Sequence, residues 1–225
     1  MKVIGLDGCA RGRIGVVLEG DVVSACFFTS ITEVPELVPD VPVIAVDIPI
    51  GLLDGGPRKA DVLARGMLAG RASTIFNAPP RECLKNVKSY PDANATSQRV
   101  VGRGLSQQSF ALRPKILDVD EFWEVTACAV WEVHPELSIA KINHGQVLAA
   151  KTTRARMTQR RNAPASVGIV LDHVDVEAAT KATTDDVLDA GVCAWTAREI
   201  LEGRAIYLPD PPEVDARGHL ATIGV

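Results

Sequence analysis

Residues 43 to 52, Val43-Ile44-Ala45-Val46-Asp47-Ile48-Pro49-Ile50-Gly51-Leu52, constrain the fold more than any other stretch of the chain. The first four are apolar and mostly β-branched, a run of strand length that suits burial on both faces. Asp47 follows at once, and a carboxylate there is costly to bury unless it is paired or faces a cation. Pro49 cannot extend a ladder and Gly51 admits an unusual backbone, so the chain turns just past the acid. Asp47 is thereby expected at the carboxyl end of a central strand, where open α/β sheets place their chemistry. A loop-capping Asp would look the same in isolation. Three other segments repeat the pattern.

The segments before this run read as strand, turn, strand, turn, strand. Residues 3–7, 14–18 and 22–28 are the strands, with Gly8 to Gly12 as a small-residue turn and Glu19-Gly20-Asp21 as a hairpin signal. A short helix is expected near residues 32–38, ended by Pro39. Residues 57–70 fit a helix, with Pro57 in the first turn and Ala60, Leu63, Ala64, Met67 and Leu68 on one face. Residues 72–104 show little periodicity and read as a long excursion. Residues 105–125 suit broken helix, interrupted at Pro114, and 126–133 a second buried strand. The last clear helix starts near Thr184 or Asp185, either a good N-cap, and runs to about Leu201. Residues 206–208 and 220–225 suit short edge strands. The expected architecture is one α/β domain over residues 1–225, on a mixed five-stranded sheet whose first three strands are antiparallel. Helices cover both faces, and residues 53–125 form a helical and loop insertion over one edge.

Composition narrows the function classes. With 47% hydrophobic and 23% charged residues, the 225-residue chain can bury a substantial core. No apolar run approaches the ~20 residues of a membrane span, and Asp7 interrupts the N-terminus too early for a signal-peptide core. A soluble cytoplasmic protein with no membrane partner is the expectation. The five cysteines are scattered with no C-x-x-C, and the four histidines show no H-E-x-x-H. A serine-hydrolase G-x-S-x-G elbow, a P-loop and a strand-borne G-x-G-x-x-G are all missing. A net charge of −4 leaves nucleic-acid contact to local basic patches.

Acids recur at the ends of the expected elements. Asp7 closes a strand before the glycine turn, Asp47 closes the buried strand, and Glu132 lies near the end of another. Asp185, Asp186 and Asp189 occupy the first turns of the last long helix, where Asp189 can share a face with either of the others. Each has a bland explanation as a cap or an ion-pair partner. Gathered at one sheet edge, they would repel unless cations neutralised them. Hard divalent ions such as Mg²⁺ or Mn²⁺ suit such oxygen donors. Two of them ~3.5–4 Å apart can activate water and stabilise the leaving oxygen of a phosphodiester.

This order of elements and acids resembles the ribonuclease-H-like superfamily. More closely, it is similar to the group of predicted RNase-H-like nucleases described as domain of unknown function 429. The matching motifs are Gly5-Leu6-Asp7-Gly8-Cys9, Val46-Asp47-Ile48-Pro49-Ile50-Gly51-Leu52, Gly56-Pro57-Arg58 and Gly70-Arg71-Ala72-Ser73-Thr74-Ile75-Phe76. They continue with Gly104-Leu105-Ser106-Gln107-Gln108, the segment Pro114 to Asp120, Trp131-Glu132-Val133-His134-Pro135-Glu136 and Asp185-Asp186-Val187-Leu188-Asp189-Ala190. The resemblance implies a ribonuclease-H-like fold and a metal-dependent nuclease. It assigns Asp7, Asp47, Glu132 and Asp189 as metal ligands by motif position, with Asp186 assisting. Asp186-x-x-Asp189-Ala190 also looks like the terminal helix of Holliday-junction resolvases.

Arg58, Arg71, Lys115, Lys151, Arg154 and Arg156 can contact substrate phosphates or merely solvate the surface. Lys115, Lys151, Arg154 and Arg71 are taken as substrate-binding candidates. His134 joins them, able to shuttle a proton or orient a water, or to anchor a turn. Glu136 can be a further ligand or the start of the next helix. A nucleic acid or nucleotide is the expected partner, and Mg²⁺ or Mn²⁺ the cofactor. The alternatives are nucleotide-phosphate binding or phosphoryl transfer of the actin and sugar-kinase kind, or a non-catalytic binding module with vestigial acids.

Overall fold

The computed structural model describes residues 1–68, 70–146, 154–171 and 182–225, with only the backbone described at 154–157. The chain divides into two compact units. The first comprises Met1–Asp47, Val125–Ile206 and Gly224–Val225, and the second Ile48–Glu124 and Tyr207–Ile223.

The first unit opens with β1 (Lys2–Cys9), β2 (Gly12–Glu19) and β3 (Val22–Phe28), an antiparallel meander as the strand and turn order predicts. A short helix α1 (Val34–Leu37) follows, then β4 (Val43–Val46), which pairs in parallel with β1. The sheet has seven strands rather than the expected five. Its first five run in the order β3-β2-β1-β4-β5, with β5 at Ala129–Val133, and lie in the first unit.

In the second unit, α2 (Lys59–Met67), α3 (Glu82–Lys85), α4 (Tyr90–Val101), α5 (Gln107–Ala111) and α6 (Arg113–Trp123) fill the span expected as an insertion. The break between α5 and α6 falls at Leu112, with Pro114 seated in the first turn of α6. The excursion at 72–104 hides the twelve-residue α4. Its ends are well specified: Ser89 accepts from the Asp92 N–H, and Gly102 closes it with φ 70°. Only Ala93 and Ser97 of its length are buried, so the apolar stripe that betrays a helix is nearly absent. The strands β6 (Tyr207–Val214) and β7 (Leu220–Gly224) make up the seven, and β6 is far longer than the three residues expected. Its three prolines argue locally against a strand.

Among the described residues, the remaining helices of the first unit are α7 (Pro135–Ile142), α8 (Arg154–Ser166) and α9 (Thr184–Leu201). The N-cap of α9 is Thr183, one residue before the expected start. Thr183 and Asp186 form a reciprocal capping box, with Thr183 N–H donating to Asp186 Oδ2 at 2.7 Å. This helix lies across β1, β2 and β4. Val187, Ala190, Cys193, Ala194 and Ala197 pack against Val3, Val43, Ala45 and Val133 in one buried cluster. Among the described residues no helix is long and apolar enough to cross a membrane.

Strand register decides which side chains face α9. Leu6 is beside Val46 and Val46 beside Glu132, so these three share one face. Their neighbours Asp7 and Asp47 take the other face, the one under α9. Close approach of the helix there rests on Gly5. A Cβ at that position would overlap the Ala194 nitrogen and the Ala190 carbonyl oxygen.

Gly5→Ala should therefore cost about 3 kcal/mol, because backbone meets backbone and neither can step aside. Gly66→Ala, on an exposed turn of α2 where nothing lies within 4 Å of the new carbon, should gain about 0.5 kcal/mol. Urea denaturation of the two variants checks both signs. A neutral Gly5→Ala would show that the helix does not sit this close.

Candidate functional site

The site is built at the carboxyl ends of β1 and β4, within the first unit. The Asp47 N–H donates to the Leu6 carbonyl at 3.1 Å, extending the parallel ladder one step past β4. That step sets Asp47 laterally beside Asp7, both pointing toward α9. One turn into α9, Asp189 comes down onto them. Glu136, from the first turn of α7, and Arg160, from α8, complete the group.

Arg160 is the cation at its centre. It is buried, at 8% exposure. One guanidinium nitrogen is ion-paired with Asp189 Oδ2, and the other lies 3.5 Å from Glu136 Oε1. Neither Asp189 Oδ1 nor Arg160 Nε, both buried, has a hydrogen-bond partner among the described residues. Among the described residues, one guanidinium thus faces several carboxylates.

Burial dominates the titration of the acids, with their mutual repulsion added to it. Burial pushes the Asp7 carboxyl well above the ordinary range. Asp47, Asp189 and Asp186 add repulsion, which the Gly8 N–H only partly offsets. Burial lifts Asp47 to about 7, with Arg160 holding it down and Glu136 pushing it up. Asp189 also stands at about 7: burial raises it, Arg160 opposes, and Asp47 and Glu136 add to the rise. The Cys193 thiol, one turn along α9 from Asp189, is driven well up by burial and by Asp47, Asp7 and Asp189, and stays neutral. Protons do part of the work that a further cation would do.

The predicted site residues divide by position. Asp7, Asp47 and Asp189 come together, and the charge of Asp186 reaches Asp7 although its carboxylate is engaged in the capping box. Glu132 is buried on the opposite face of the sheet, with Leu6 and Val46. A sheet face alternates with every residue, so one step along β5 separates it from the acids under α9. Glu136 stands there instead. His134 caps α7, its carbonyl accepting the Leu137 and Ser138 N–H groups at 3.0 and 3.1 Å. Lys151 lies outside the described residues, and of Arg154 only the helical backbone is described. Arg71 and Lys115 belong to the second unit. So does Arg58, which is buried and committed to Asp61 at 2.5 Å and to the Ile50 carbonyl at 2.6 Å, leaving it no role on phosphate.

Sequence reasoning passed over Arg160, one of five basic residues between positions 151 and 161 with no spacing to distinguish it. Glu136 carried a weak signal, an acid in the first turn of a helix that leaves a buried strand.

The carboxylates offer the oxygen donors a hard divalent cation takes, one of them a buried oxygen without a hydrogen bond among the described residues, although no three of them bring ligand atoms within 4.8 Å of one another. A second group, Asp120, Asp215 and His219 of the second unit, brings three ligand atoms within 4.8 Å of one another. There the positive charge is already supplied. Arg81 binds both carboxylates, Arg217 lies 2.7 Å and Lys85 3.6 Å from Asp120. Burial raises the Asp215 carboxyl, yet the His219 and Arg217 N–H groups and Arg81 hold it below its ordinary value. The contrast between the two clusters marks the first as the candidate cation site.

A family model described as Protein of unknown function (DUF429) matches residues 5–214. The chain belongs to that family. No curated protein and no solved structure matches the chain.

Asp47 and Asp189 titrate near 7 when folded and near ~3.9 when unfolded, so the folded state holds extra protons between those values. That stabilisation is complete below the unfolded pKa and is lost as pH rises through about 7. Melting of chelator-treated wild type and Asp47→Asn from about pH 4 to about pH 8 isolates it. Wild type should lose stability relative to the variant across that window and level off above it. A constant difference would show that Asp47 is ionised throughout.

Proposed function

We infer that the first unit is a divalent-metal-dependent phosphodiester hydrolase of ribonuclease-H-like type. The observation that carries this reading is the convergence of Asp7, Asp47, Asp189 and Glu136 at one sheet edge, with the Arg160 guanidinium as the cation among the described residues there. Such a cluster is costly as a structural element, because its members raise one another's pKa and oppose folding when ionised. A site that gathers cations is the function for which that cost makes sense.

Asp7, Asp47, Asp189 and Glu136 would hold Mg²⁺ or Mn²⁺, which when bound activates water and stabilises charge on the phosphoryl oxygens. The strands supply the rigidity. Asp7 and Asp47 sit on paired backbones and Asp189 on a capped helix, so the donors are set before a ligand arrives. Arg160 keeps the metal-free pocket from accumulating negative charge. Once that charge is met otherwise, its guanidinium is a donor suited to a substrate phosphate. Substrate is proposed as nucleic acid or nucleotide.

The test combines cleavage with binding. Purified protein with Mn²⁺ should cut at least one member of a panel of single-stranded, duplex and branched DNA and RNA, and Asp47→Asn should abolish the cut. The same metal should stabilise wild type by about 2.7 kcal/mol at a hundredfold excess over its dissociation constant, and the variant by far less. Protein that gains no stability from either metal and cuts no substrate would overturn the reading.

A further inference from the structure

The second unit encloses a cavity of about 250 Å³, formed by α2, the stretch 73–80, the end of α4 and the turn into α5. We propose that this cavity binds a small organic anion, its phosphate or carboxylate head on Arg65 and Arg103 and its flat or apolar body against Phe76 and Leu105.

Charge is the first argument. Two guanidinium groups line the cavity and no carboxylate does. Elsewhere in the same unit four arginines are matched with acids, Arg58 with Asp61, Arg99 with Glu82, Arg81 with Asp120 and Asp215, and Arg217 with Asp120 and Glu124, while Arg113 donates to the Leu84 carbonyl. The cavity arginines break that habit. Arg65 donates to Asn77 Oδ1 at 3.2 Å, an uncharged acceptor. The guanidinium of Arg103 makes no ion pair or hydrogen bond among the described residues. An anion entering here completes a pairing that the fold supplies at those four arginines.

Size and surface fix the rest of the ligand. Binding sites for drug-sized molecules run from ~300 Å³ upward, so this volume suits a small metabolite and excludes a polynucleotide strand. Ile75 and Leu105 are buried, while Phe76 keeps 40% of its surface exposed and can cover a planar group. The hydroxyls of Ser106 and Ser109, 2.8 Å apart, add donors that can rotate toward an oxyanion. A nucleoside monophosphate has this combination of charge, flatness and size, and an aromatic carboxylate has it in smaller form.

Calorimetric titration of the full chain in chelator, with AMP, inorganic phosphate, benzoate and adenosine, tests the proposal. Saturable binding of AMP or benzoate is expected, with phosphate weaker than AMP and adenosine without effect. Arg103→Ala, at an exposed position, should weaken the bound anion at least about tenfold, and Arg65→Lys by a smaller factor, since a charge remains without the fork. Asp47→Asn should bind the anion as wild type does, which separates this cavity from the acid cluster. Absence of saturable anion binding, or affinities unmoved by both arginine substitutions, would overturn it.

Discussion

One guanidinium among several carboxylates is the constraint around which the first unit is arranged. Arg160 pairs with Asp189 and reaches Glu136, and its field lowers the pKa of Asp47. The acids nevertheless titrate above their ordinary range, because burial removes the water that would screen them. The metal-free fold therefore sits in a compromise, part ion pair and part shared protons. Removing the arginine would leave buried charge unopposed, a larger penalty than the attraction itself suggests.

That compromise depends on geometry fixed elsewhere. The parallel pairing of β1 with β4 brings Asp7 and Asp47 side by side, and Gly5 lets α9 descend far enough for Asp189 to join them. The capping box at Thr183 and Asp186 sets where the helix begins, and so which of its turns reaches the sheet. Burial of apolar side chains beneath α9 holds the assembly closed. The cost of crowding charge at one end is thus met by packing along the rest of the helix.

Much of this was legible in the sequence. Glycine and hairpin turns located β1 to β3, and the apolar run before Asp47 located β4, because short apolar runs bounded by turn residues suit buried strands. The N-cap residues at 183–185 and the apolar stretch that follows them located α9. What escaped detection did so for physical reasons. α4 is polar for nearly its whole length and is specified by its caps, and β6 carries three prolines. Motif position groups Glu132 with the other acids, and a strand apolar on both sides, as β5 is, hides which face a given residue takes. Arg160 could not be chosen from a basic tract, since its role depends on where α8 lands.

The central claim is that these carboxylates form a cation site and not merely a buried ion pair. A crystal soaked in Mn²⁺, with anomalous data collected near the manganese edge, measures this directly. The account predicts a peak within about 2.5 Å of carboxylate oxygens from Asp7, Asp47 and Asp189, with the Arg160 guanidinium shifted off Asp189. A crystal with no peak at the cluster and with Arg160 still paired to Asp189 at saturating Mn²⁺ would contradict it.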